Sequence, residues 1–147
     1  MIFDNTLLLS DNQAITADAA STNTIDLIAT GSPLGGSPIQ KDVGRASCVP
    51  LAILVTEAFN NITSLQVQVQ TSADNATWET IESGRQIPLA TLVAGHQVKV
   101  IDELPEGTNV RYVRLFYDIT GTAPTTGKIT AGLVMARQTN YSYGGRS

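Results

Sequence analysis

The chain has 147 residues, enough for one domain with a sizeable core; it is 42% hydrophobic, only 15% charged, and carries a net charge of −4. Its nine Lys and Arg are scattered and form no basic stripe, which argues against a nucleic-acid partner. No apolar run approaches the roughly 18 residues of a membrane-crossing helix, so no membrane partner is expected.

The usual charged share is about 25%. A charge-poor surface fits a protein largely covered by partners, whose contact cores are depleted in charge. It fits a Thr/Ser/Asn/Gln-rich β surface equally well. The first residues lack a basic n-region and a long apolar h-region, so the expectation is a chain that starts at Met1 and is used without export. Cys48 is the sole cysteine and can close no intramolecular disulfide, which fits a reducing compartment. The sequons at Asn61, Asn75 and Asn140 then read as turns.

Helical periodicity is scarce. Val, Ile and Thr are abundant and Gly and Pro recur at short intervals, which predicts an all-β sandwich or barrel. Residues 1–22 open with MIFDNTLLLSDNQAIT, one apolar cluster (Leu7, Leu8, Leu9) among acids and amides, and read as an extended N-terminal arm. Residues 30–46 (TGSPLGGSPIQKDVGRA) form a long loop, and loops of that length are usually functional or disordered. Residues 49–56 (VPLAILVT) predict a central strand or a strand facing a partner, with Pro50 at its edge.

Residues 65–71 (LQVQVQT) alternate, with Leu65, Val67 and Val69 facing one way and Gln66, Gln68 and Gln70 the other. Residues 72–75 supply a turn, and 77–81 (TWETI) return as a hairpin. Short strands are predicted at 87–93 and 97–101, then a turn at Pro105-Glu106-Gly107. Residues 110–118 (VRYVRLFYD) alternate again, with Val113, Leu115 and Tyr117 on one face. Residues 128–137 (KITAGLVMAR) predict the last strand. The domain organisation is therefore an arm at 1–22, a sandwich at 23–137 and a tail at 138–147.

Nothing in the sequence assembles a reactive site. His96, the only histidine, follows Ala94-Gly95 in a turn and is expected to be solvated. Cys48 precedes an apolar strand and is expected as a buried small hydrophobe. One His and one Cys do not make a zinc site. The acids Asp4, Asp11, Asp18, Asp26 and Asp42 lack calcium-loop spacing. Residues 31–36 lack the Lys-Ser/Thr of a phosphate loop. No catalytic, cofactor or metal residues are expected, and the protein is read as a non-enzyme.

The hairpin SLQVQVQTSADNATWETI with VRYVRLFYD is similar to discoidin-like and related carbohydrate-binding jelly rolls. In those a strand, an S-x-D-x-x-x-W turn and a second strand precede an RYVRL strand; here the matching residues are Ser72, Asp74, Trp78 and residues 111–115. This resemblance implies a β-sandwich more than sugar binding, with Trp78 in the core.

The whole chain resembles the capsid cement (decoration) proteins of tailed phages, of the kind first known from a Bordetella phage. The residues that carry this are the opening segment, STNTIDL at 21–27, the Gly/Pro loop, the hairpin, and GKITAGLVMAR at 127–137. The resemblance implies a jelly-roll sandwich on the outer capsid surface of the virion, made in the host cytoplasm. It implies a phage major capsid protein as partner, with neighbouring capsomers tied together. The charge-poor chain and the family both imply a homo-oligomer, a dimer ahead of a trimer.

The expected contacts are Leu7, Leu8 and Leu9 on the arm and Pro33, Leu34 and Ile39 on the loop. Each leucine would contribute roughly 1.5–3 kcal/mol if buried on a partner. The alternative for Leu7 to Leu9 is an ordinary edge strand of the sandwich. The alternative function is a carbohydrate-binding jelly-roll module, possibly carried on a virion.

Overall fold

Alternating apolar residues supply two sheets whose inner faces meet. The computed structural model describes residues 2–137 apart from 29–30, 38, 40 and 46–47, so the expected tail at 138–147 lies outside the described residues. In chain order the strands are β1 (Leu8–Ala14), β2 (Ala19–Ala20), β3 (Ile25–Asp26), β4 (Leu51–Glu57), β5 (Ile62–Ser72), β6 (Glu79–Ser83), β7 (Ile87–Pro88), β8 (Gln97–Val98), β9 (Tyr112–Gly121) and β10 (Lys128–Leu133).

One sheet has the order β1-β10-β4-β8. In the other, β2 and β3 both pair with β9, β9 pairs with β5, and β6 and β7 both pair with β5. Counting β2/β3 and β6/β7 as one broken strand each, the antiparallel pairing is nested. First pairs with last, second with next to last, and so inward to β5 with β6/β7. That is the all-β sandwich the sequence predicts, in the jelly-roll order that the family resemblance implies.

The core is the set of inward positions of four long strands. Ile53 and Val55 of β4, Val67 and Val69 of β5, Leu115 and Tyr117 of β9 and Ile129 of β10 are fully buried in one cluster. Tyr117 is the polar member. Its hydroxyl lies 2.8 Å from the buried Ser10 hydroxyl, which in turn donates to Gln13 Oε1 at 2.8 Å. Burial pushes the Tyr117 phenol well above its ordinary pKa, so it stays neutral.

Four expectations need correction. The arm at 1–22 is not an arm beyond its first residues: β1 pairs with β10 along its length, and Leu9 and Ile15 are fully buried. Two register shifts break the two-residue period within β1, and Asn12 takes a left-handed φ of 47°. The segment therefore does not read as an alternating strand. The free edge of β1 is covered as well, because the Asn23 N–H donates to Leu9 O at 2.9 Å and its amide to Leu8 O at 3.3 Å.

The predicted strand at 87–93 stops at Pro88 and turns into a 3-10 helix, Leu89–Thr91, because Pro88 offers no N–H and Thr91 Oγ1 donates back to Pro88 O. Cys48 is exposed rather than buried, since β4 begins only at Leu51. The neighbouring Glu103 carboxylate raises the thiol pKa, which disfavours the thiolate. Trp78 is half-buried outside the core. It stacks on Arg114, 4.0 Å from guanidinium carbon to ring centre, on the outer face of the six-stranded sheet.

The S-x-D turn is structural. Asp74 Oδ1 accepts from Thr77 N–H (2.8 Å), Ala76 N–H (2.9 Å) and Ser72 Oγ (2.9 Å). Asn61 and Asn75 both sit in left-handed turns, as their sequon positions predict.

The register defines two ends of the sandwich. At one, Leu51 opposes Leu133, Leu133 N–H donates to Leu7 O, and Leu51 N–H donates to Asp102 O. The connection from Asp102 crosses to Tyr112, which opposes Asp26 and Ser72 in the second sheet. This end therefore gathers residues 2–7, the described residues of 27–45, 72–78, 102–111 and 134–137. The far end gathers 15–18, 57–61 and 120–127 through the pairs Ala14–Lys128 and Ile62–Gly121.

Candidate docking pole

The apolar surface is unevenly distributed. Among the described residues the exposed large hydrophobic side chains are Ile2, Leu7, Ile28, Leu34, Ile39, Val93 and Met135. All but Val93 lie on segments that leave the first of the two ends. Leu34 and Met135 are exposed essentially in full (107% and 99%), and Ile2 nearly so. Exposed apolar groups gathered in one place mark interaction surfaces, whereas scattered ones need no explanation.

The connection between β3 and β4 carries three of these side chains, Ile28, Leu34 and Ile39, and its base is built rather than loose. On the incoming side, the Asp26 carboxylate takes both Arg111 Nε (2.9 Å) and Nη2 (2.7 Å) and the Ile28 N–H (2.8 Å). Ile28 sits at φ 65°, a strained position for a β-branched residue. On the outgoing side, Asp42 accepts from Gly107 N–H (3.0 Å) and Gly44 N–H (3.1 Å), and Val43 N–H donates to Thr108 O (3.1 Å).

Lys41 closes the neck by donating to the carbonyls of Leu27 and Ile28. Gly44 packs so tightly that a Cβ there would lie 1.9 Å from Pro105 O, so only glycine fits. Both stalks thus rest on the same connection, residues 105–111. The tip turns at 33–36, where Gly36 N–H donates to Pro33 O and Gly35 has a φ of 74°, leaving Leu34 outermost.

The charges at this end are mostly satisfied within the chain. Asp26 pairs with Arg111, Arg45 with Glu106, and Asp102 with Arg137. The remaining ion pair among the described residues, Lys128 with Glu57, lies at the far end. A shallow groove of about 460 Å³ runs beside the 72–78 turn, but its carboxylate Asp74 is engaged in holding that turn. No group of three His, Cys, Asp or Glu among the described residues could hold a metal ion.

Three carboxylates at this end are held below their ordinary pKa, Asp4 by the Thr6 hydroxyl and, more strongly, Asp26 and Asp74. The bidentate hydrogen bond from Arg111 lowers Asp26 to about 2, and the N–H groups of Thr77 and Ala76 with the Ser72 hydroxyl lower Asp74 to about 2. Depressed folded-state values mean that the stabilisation is complete above the unfolded value near 3.9 and is lost as pH falls through about 2. The melting temperature is expected to drop between pH 4 and pH 2, and Asp26→Asn to flatten that drop. Carboxyl-carbon NMR titration checks the assignment; an Asp26 midpoint near 3.9 would contradict the Arg111 clamp.

The expected contact residues separate cleanly. Pro33, Leu34 and Ile39 are exposed on the loop, and Leu7 stands at the margin of exposure (36%). Leu8 and Leu9 are buried in the protein's own sandwich and cannot anchor a partner, so for them the edge-strand alternative holds. Ile2, Ile28 and Met135 complete the apolar end and were not among the expected contacts. Met135 reads in the sequence as a continuation of the last strand. The ladder ends after Leu133 because the next partner is Pro50, which accepts the Val134 N–H at 3.0 Å but has no N–H to return.

Fold and surface together define a jelly-roll β-sandwich domain with one apolar, charge-paired end. Residues 9–136 match a protein-family model described as Bbp16, so the chain belongs to the Bbp16 family. The family name points to a Bordetella phage protein, which makes this a phage-related protein. The match begins inside β1 and takes in the loop, so both are parts of the family's domain. No curated protein matches the chain.

Proposed function

We propose that the protein is a virion structural protein, a capsid cement protein that binds the outer surface of an icosahedral phage head and ties neighbouring major-capsid-protein capsomers together. The observation that carries this reading is the gathering of Ile2, Leu7, Ile28, Leu34, Ile39 and Met135 at one end of a rigid sandwich. Membership of a phage protein family supports it. In this reading the sandwich stands end-on, with the 27–45 loop meeting the capsid. A preformed loop base lowers the ordering cost of docking. Many copies on one shell add avidity to each modest contact. The charge-poor chain further suggests a homo-oligomer, a dimer ahead of a trimer, which light scattering of the purified protein would determine.

The test is co-sedimentation with heads lacking this protein. Leu34→Ser with Ile39→Ser is expected to weaken decoration at least about tenfold, since each fully buried leucine or isoleucine contributes roughly 1.5–3 kcal/mol. Folding stability should stay within about 0.5 kcal/mol, because both side chains are exposed. Decoration at wild-type affinity by the double variant would rule out the loop as the docking element.

A further inference from the structure

The outer face of the six-stranded sheet carries an ordered device that capsid docking does not use. Gln66, Gln68 and Gln70 project from β5, and Arg114 and Phe116 from β9, with Gln68 opposite Phe116 and Gln70 opposite Arg114. Their hydrogen bonds form one directional chain. Arg114 Nε donates to Gln70 Oε1 (2.9 Å), and Gln70 Nε2 to Thr80 Oγ1 (3.1 Å). Thr80 Oγ1 donates to Gln68 Oε1 (3.3 Å), Gln68 Nε2 to Gln66 Oε1 (3.3 Å), and Gln66 Nε2 to Gly84 O (2.8 Å). The guanidinium that starts the chain is stacked on Trp78.

Long amide side chains on a half-exposed sheet face normally keep rotamer freedom worth up to about 2 kcal/mol each. Here the chain fixes all three. Each amide uses one N–H and one lone pair in the chain and retains one of each. The face therefore presents a preset row of alternating donors and acceptors along about 13 Å of strand. Phe116 and Trp78 flank the row with ring surface.

We propose that this face binds a neutral polyhydroxylated chain, a glycan, laid along β5. Hydroxyl groups both donate and accept, so they match a row in which donors and acceptors alternate. Neutrality follows from charge: Arg114, the one cation on the row, is already committed to Gln70 and Trp78, and Asp118 opposite Gln66 sets a carboxylate at the other end, which disfavours an anionic ligand. A protein partner is the poorer match, because none of the exposed large hydrophobic residues lies on β5, β6 or β9. The amides are held before the ligand arrives, so the ordering cost of binding is low.

Trp78 is the only tryptophan and reports on this face directly. The full chain should be titrated with soluble hexaoses of β-1,4-glucose, β-1,4-xylose, β-1,4-N-acetylglucosamine and α-1,4-glucose, following Trp78 fluorescence and calorimetry. A saturable signal is expected with at least one. Gln68→Ala, with unchanged circular dichroism, should weaken it about tenfold or more, since it removes ligand contacts and breaks the chain in the middle. Gln66→Glu should weaken it as well while keeping the side-chain shape. No binding to any of the four hexaoses would overturn the proposal. So would wild-type affinity in both variants. Loss of head decoration by Gln68→Ala without loss of hexaose binding would make the face a protein contact instead.

Discussion

Leu9→Ala is expected to lower the unfolding free energy by about 2–5 kcal/mol, the usual cost of emptying a fully buried leucine site. A domain of this size has a total stability of about 5–15 kcal/mol, so the variant should melt at visibly lower temperature. The expectation rests on burial: Leu9 is fully inaccessible and belongs to the main core cluster. It also lies next to Ser10, whose hydroxyl meets Tyr117 in the centre of the sandwich. Urea unfolding measures the effect. A loss below about 0.5 kcal/mol would place residues 8–14 outside the cooperative core and restore the arm. Truncation of residues 1–14 should accordingly prevent folding, so a truncated chain cannot distinguish a lost grip from a lost domain.

Gly127→Ala should cost about as much, roughly 2–6 kcal/mol, by a different route. Gly127 has a φ of 137°, where any residue with a Cβ is strained, and its carbonyl accepts the Ile15 N–H at 3.0 Å. A Cβ would stand 2.4 Å from the Phe59 ring, which is itself buried. Backbone strain contributes about 1–3 kcal/mol and overpacking about 1–3 kcal/mol. Gly127→Ala with Phe59→Leu should recover part of the overpacking but none of the strain. Full rescue by the second change would show that the backbone at 127 is free to move.

The sandwich was legible because β5 and β9 keep a two-residue period over their central residues. LQVQVQT and VRYVRLFYD place Leu65, Val67, Val69, Val113, Leu115 and Tyr117 inward, and all six are buried. The opening segment was misread because β1 bulges twice, so LLLSDNQA shows a cluster rather than an alternation. At the apolar end, Leu34 and Ile39 stand out as apolar residues in a Gly/Pro loop. Ile28 and Met135 do not, since their exposure depends on where β3 and β10 stop, and β10 stops where its partner strand offers Pro50, which has no N–H. The glutamine chain was visible only as the polar half of an alternation. Its order comes from the cross-strand neighbours Thr80 and Arg114, ten and 44 residues from Gln70 in sequence.

The covered edge of β1 bears on how copies of this protein can join. A sheet grows from chain to chain only where a strand leaves its N–H and C=O groups open, and such growth has no natural stopping point. Asn23 occupies the carbonyls of Leu8 and Leu9, and at the opposite edge of that sheet β8 is only two residues long. Fibre-like stacking through this sheet is thereby closed off. A contact between copies through this sheet would therefore rest on side chains rather than on a continued backbone ladder.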